Sequence, residues 1–169
     1  MTDRNKKVFL TLCITVPFLA YCIYYYSHMI KNAPYKFTEF DSISFQYGPG
    51  DSLVNKYNSK TGEYQYVNTR DSIVKMKLHL TREDLLYLHR KAADLGFWDF
   101  PSMELGSTAI KHNGAKPLRY VIEFKYKRKS KKVTFDESFN GDPKLIDANI
   151  QVIKEIQKVL QDEEGKQGN

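Results

Sequence analysis

Between Val8 and Ile30 the chain reads VFLTLCITVPFLAYCIYYYSHMI, 23 residues without a single Lys, Arg, Asp or Glu. A helix needs roughly 20 largely apolar residues to cross the hydrocarbon core of a bilayer, so this stretch predicts a transmembrane helix over residues 8–30. Pro17 is compatible with a span, because neighbouring groups can re-satisfy the backbone at a kink. Tyr24, Tyr25 and Tyr26 stand at the far end, where amphipathic rings suit the headgroup level. Arg4, Lys6 and Lys7 precede the segment, and Lys31 and Lys36 follow it. By the positive-inside rule, on a narrow charge margin, residues 1–7 form a cytoplasmic basic N-terminus and the domain lies outside the cytoplasmic membrane, in the periplasm or at the cell surface. An ordinary cleaved signal peptide needs small residues before the cut, and none is well placed. Leu19-Ala20-Tyr21-Cys22 resembles a bacterial lipoprotein box except at Tyr21, where such boxes carry a small residue. Lipidation of Cys22 is therefore the alternative to an uncleaved signal anchor.

The whole chain, 169 residues with 41% hydrophobic and 27% charged, has room for one globular domain beyond the span. Disordered, collagen-like and multi-span classes are excluded by that composition. Both cysteines, Cys13 and Cys22, fall in the span, so the domain has no disulfide or thiolate metal site. The formal charge of +6 is not uniform: 23 cations face 19 acids after Ile30, and six of those cations lie between Lys125 and Lys132.

After a juxtamembrane linker, residues 31–39, alternation of apolar and polar residues marks strands. Ile43, Phe45 and Tyr47 alternate with Ser42, Ser44 and Gln46 before Gly48-Pro49-Gly50-Asp51 breaks the run. Leu53–Tyr57 and Glu63–Val67 predict a hairpin around Ser59-Lys60-Thr61-Gly62. Val74, Met76, Leu78 and Leu80 alternate with Lys75, Lys77 and His79. Tyr120, Ile122, Phe124 and Tyr126 do the same with Val121, Glu123, Lys125 and Lys127, and Val133 and Phe135 follow a basic turn. One apolar and one polar face per strand indicates an antiparallel sheet covered on one side only.

Two helices supply the cover. Thr81 and Asp84 are spaced as a capping box and Gly96 is a left-handed stop. Between them Leu85, Leu86, Leu88, Ala92, Ala93 and Leu95 share a broad face. Asp142 followed by Pro143 opens the second helix, whose apolar face is Leu145, Ala148, Val152, Ile153, Ile156, Val159 and Leu160. Residues 161–169 are polar and read as a frayed tail. The expected fold is thus α+β: an N-terminal transmembrane helix, then a two-layer sandwich over residues 40–160 in the order β-β-β-β-α-β-β-α. Asp99 to Leu118 is long for a structureless loop and has room for a short strand near Met103 to Leu105.

The succession ISFQYGPGDS, a hairpin, TREDLLYLHRKAADLGFWDFPS, YVIEFKYKRKSKKVTF and a helix opened by NGDPKL resembles a family of small uncharacterised domains. These occur in bacterial, often Bacteroidetes, lipoproteins and membrane-anchored exported proteins. The resemblance covers Asp41 to Leu160, implies an exported location, and carries no catalytic residues with it.

Candidate chemistry is sparse. His89 lies at the centre of the first helix's apolar face, either as a buried hydrogen-bonded side chain or as a base under a pocket. Asn149 has the same position on the second helix. His79 and Glu83 lack a third ligand in view, and His112 precedes an Asn-Gly turn. Asp136, Ser138, Asn140, Asp142 and Asp147 follow the outline of a calcium loop, with Asp147 replacing the usual bidentate Glu and Lys144 at the ninth place. Asn-Gly as a turn and Asp142 as a helix cap explain the same residues without a metal. Lys125, Lys127, Arg128, Lys129, Lys131 and Lys132 would dock on an anionic surface, or form a solvated hairpin tip that discourages edge pairing. The reading is a membrane-anchored envelope protein whose domain is a non-catalytic binding module for an envelope protein or anionic polymer, with nucleic acid disfavoured as a partner. The alternative is a calcium-dependent binder or a hydrolase-type enzyme using residues 136–147, His89 or His112.

Overall fold

The computed structural model describes residues 3–31, 35–106 and 116–167. They form two compact units, Met1–Tyr35 and Lys36–Asn169. The first is one helix, α1 (Asp3–Lys31). Its 29 residues span about 43 Å at 1.5 Å per residue, more than the roughly 30 Å of a bilayer core. The window Arg4–Tyr25 has a mean hydropathy of 1.9 and none of it is buried within the protein. A long apolar helix with no protein cover is consistent with membrane anchoring.

The second unit is built on a seven-stranded open sheet in the order β4-β3-β2-β1-β6-β7-β5. Strands β1 (Phe40–Pro49), β2 (Asn55–Asn58), β3 (Glu63–Val67) and β4 (Ile73–Lys77) form a meander. Strand β6 (Leu118–Tyr126) then pairs antiparallel with the other side of β1, and β7 (Ser130–Asp136) with β6. The antiparallel expectation therefore fits six strands. The seventh, β5 (Met103–Glu104), pairs parallel with β7 and makes the sheet mixed. Two residues following a helix give no alternation by which direction could be read, and only their contact with β7 fixes it.

Helices α2 (Arg82–Asp94) and α3 (Pro143–Gln167) cover one sheet face. Thr81 accepts from the Asp84 amide at 3.2 Å while Asp84 accepts from the Thr81 amide at 3.0 Å, so both halves of the capping box form. Gly96 takes φ +76°, a conformation that costs a glycine little, and turns the chain into the 3-10 turn Phe97–Asp99. That turn explains the GFW segment: Phe97 is fully buried, and the Trp98 ring meets Phe124 edge-on at 5.2 Å. Ile43, Phe45, Ile122, Phe124, Val133 and Phe135 supply the sheet side of the core, and Leu88, Ala92, Val152 and Ile156 the helix side.

Three expectations are corrected. Ala93 is exposed rather than part of the buried face of α2, while His89, expected at the centre of that face, is buried there. The chain from Gln161 does not fray. It continues as helix to Gln167, because Glu163 is only 9% exposed and Tyr66 Oη donates to Glu164 at 2.6 Å. Finally, Phe37–Glu39 is a 3-10 turn of the folded unit, not a free linker: the Phe37 ring lies 5.4 Å from Phe40 and 5.5 Å from His89.

Candidate functional site

Strand alternation decides which face each side chain occupies. Residues opposite each other in the ladder share a face, so Ile43 with Phe124 and Phe45 with both Tyr57 and Ile122 point to the helices. Their neighbours point the other way. On that side Lys75, Gln65, Lys56 and Gln46 form one row across β4, β3, β2 and β1, and Lys77, Glu63, Asn58 and Ser44 form the next. Between the rows lie the backbone positions of Met76, Tyr64, Tyr57 and Phe45, whose side chains belong to the helix side. The twisted sheet makes this a groove of about 570 Å³ running across the strands, walled by the two rows. Lys56, Glu63, Lys75 and Lys77 are exposed there.

The two walls differ. In the second, Lys77 donates to the Thr61 carbonyl at 3.0 Å and Thr61 Oγ1 donates to Glu63 at 3.2 Å. Asn58 accepts from the Lys60 amide at 2.9 Å. In the first, Gln65 donates through Nε2 to the Val54 carbonyl at 2.7 Å and keeps its oxygen available. Lys56, Lys75 and Gln46 make no side-chain hydrogen bond or ion pair among the described residues. One wall is closed on itself and the other presents two ammonium groups.

The basic hairpin is split by the same alternation. Lys125 and Lys132 fall on the uncovered face, each beside Glu123: Lys125 Nζ is 3.5 Å from its carboxylate, and Lys132 is its ladder partner. Lys131 is in phase with Val133 and Phe135 and turns to the helix side. There it donates to the Phe100 carbonyl, and burial lowers its pKa. Arg128 pairs with Glu39, whose pKa is lowered by that guanidinium. Lys129 also has a partner, and its pKa is lowered by burial. Lys127 at the tip is exposed, and its backbone amide donates to the Glu39 carbonyl at 2.9 Å. Six cations in sequence therefore do not make one patch.

The residues of the calcium outline are engaged elsewhere. Asp136 is 4% exposed, and Arg119 holds both its oxygens, Nε at 2.6 Å and Nη2 at 3.0 Å, while reaching Asp51 with Nη1. Asp142 accepts from the Lys144 amide at 2.9 Å as the cap of α3, and Asp147 accepts from Gln151 at 3.0 Å. Asn140 is exposed, and Ser138 lies against Gly106. Among the described residues no group of three or more His, Cys, Asp or Glu is placed to hold a metal ion.

His89 is 8% exposed, with Nδ1 2.8 Å from Tyr126 Oη and the rings of Phe37, Trp98 and Tyr126 around it. Burial lowers its pKa, which favours the neutral ring in a structural hydrogen bond. His79 stands over Gly62 in the β2–β3 turn, where φ is +67° and a Cβ would run into the imidazole. His112 lies outside the described residues. Sequence reading identified Asn149 as a buried polar side chain but not its partner, Glu104. Asn149 Nδ2 donates to Glu104 Oε2 at 2.5 Å, and both residues are fully buried.

No family model, curated protein or solved structure matches the chain.

Proposed function

We propose that the protein is a membrane-tethered binding module whose uncovered sheet face, centred on the groove between β4 and β1, takes the partner. The observation that carries this reading is the asymmetry of the sandwich. One face is covered by α2 and α3, while the other offers a concave surface on which Lys56, Lys75 and Gln46 make no side-chain bond among the described residues. Two of the candidate side chains are held in structural contacts, His89 with Tyr126 and Asp136 with Arg119. Lys125 and Lys132 extend the same face toward the hairpin. The charge bias around the span supports an outward orientation of the domain.

Lysine acylation footprinting tests the reading. In native membranes Lys56 and Lys75 should react more slowly than in detergent-purified protein, while Lys154 and Lys158 on the outward side of α3 react equally in both. Equal reactivity of all four in the two preparations would contradict it.

A further inference from the structure

We infer that the groove on the uncovered face binds an acidic polysaccharide carrying a carboxylate on alternate sugar units. The inference rests on the reading of that face as the binding surface and adds the chemistry of the ligand. The register places Lys75, Gln65, Lys56 and Gln46 in one row across four neighbouring strands. Strands lie about 4.8 Å apart, so the two ammonium groups recur at about 10 Å with an amide between them. A second amide follows Lys56 at the next strand. This order of cation, amide, cation, amide matches a chain whose charge recurs once per disaccharide and whose intervening unit offers hydroxyl or acetamido groups.

The row is available for that role. Lys56, Lys75 and Gln46 make no side-chain bond among the described residues, and Gln65 retains its carbonyl oxygen. In the facing row Lys77 and Glu63 are ladder partners of opposite charge, both tied to Thr61, so they offset each other and the net positive charge of the groove comes from Lys56 and Lys75. Other anionic partners fit less well. Side chains on one edge of an extended peptide recur at about 6.7 Å, out of step with the lysines. A flat lipid surface does not enter a groove walled on two sides. Exposed lysines are screened by salt, so binding should weaken as ionic strength rises.

The test uses the full chain in nanodiscs of zwitterionic lipid. The probe is a fluorescent decasaccharide of alternating glucuronate and N-acetylglucosamine, with an N-acetylglucosamine decamer and an oligoglutamate of equal charge as comparators. The acidic decasaccharide should bind about tenfold more tightly than the neutral one, and K56Q/K75Q should weaken it about tenfold, close to the worth of a single charged hydrogen bond. K154Q/K158Q on α3 should change it less than about twofold. Thermal melts of both variants verify folding. Absence of binding, equal loss in the two double variants, or tighter binding of oligoglutamate would overturn the inference. If oligoglutamate binds more tightly than the sugar and in a K56Q/K75Q-sensitive way, or if lysine footprints show protection without sugar binding, the ligand class fails while the face remains the binding surface. If neither probe binds and no footprint appears, both readings fail.

Discussion

Glu104 and Asn149 are the most constrained polar pair in the fold. Both are fully buried, and Glu104 Oε1 and Asn149 Oδ1 find no partner among the described residues. Burial pushes the Glu104 pKa up to about 7, with the Asn149 hydrogen bond and the charge of Lys131 opposing the shift. An unfolded glutamate loses its proton near 4.5, so between these values the folded state binds more protons and stability falls as pH rises through about 7. Replacing Glu104 by Gln removes that proton. Thermal melts from about pH 5 to about pH 8 should show the wild-type Tm falling relative to Glu104→Gln, and a constant difference would contradict the assignment. Asp136 makes the second residue-scale prediction. Because Arg119 occupies both its oxygens, melts with calcium and with EDTA should coincide. Asp136→Ala, which leaves Arg119 with only the exposed Asp51 as its acid, should cost about 2 kcal/mol. A calcium-dependent rise in Tm would restore the metal reading of residues 136–147.

At the scale of elements, the first turn of α2 depends on a reciprocal pair of side-chain caps at Thr81 and Asp84. Thr81→Ala should destabilise the domain by about 1 kcal/mol, a fall of about 4 °C in Tm for a unit of this size. An unchanged Tm would mean the caps are not limiting. These elements were legible because their signals are local: period-two alternation for β1, β6 and β7, caps for α2 and α3, and Gly96 for the stop. The extension of α3 past Gln161 was not, since its reward is the long-range bond from Tyr66 to Glu164. The position of β5 was legible near Met103 to Leu105, but its parallel pairing was not, since direction depends on β7. The groove was half legible. Alternation placed Gln46 on the outer face, but only the pairing of β2, β3 and β4 brings Lys56, Gln65 and Lys75 into its row. Conversely, Lys131 looked like part of a basic patch by composition although its phase with Val133 and Phe135 already assigned it to the helix side.

On the scale of the whole molecule, the chain combines an apolar helix with no protein cover and a domain that covers only one side of its sheet. The first calls for a membrane, and the second leaves a surface for a partner. The net charge of the domain is modest, so what a partner meets is set by local placement, with Lys56 and Lys75 unpaired among the described residues and Arg128 and Arg119 neutralised by acids. The most direct test of this account places single cysteines in a Cys13→Ser/Cys22→Ser background, one at Gln65 in the groove and one at Lys154 on α3. Intact spheroplasts are treated with a membrane-impermeant maleimide. The account predicts rapid labelling of Lys154→Cys in intact spheroplasts, and labelling of Gln65→Cys only after the membranes are solubilised and washed. Equal, rapid labelling of both in spheroplasts would show the groove to be empty, and no labelling of either before lysis would place the domain on the other side of the membrane.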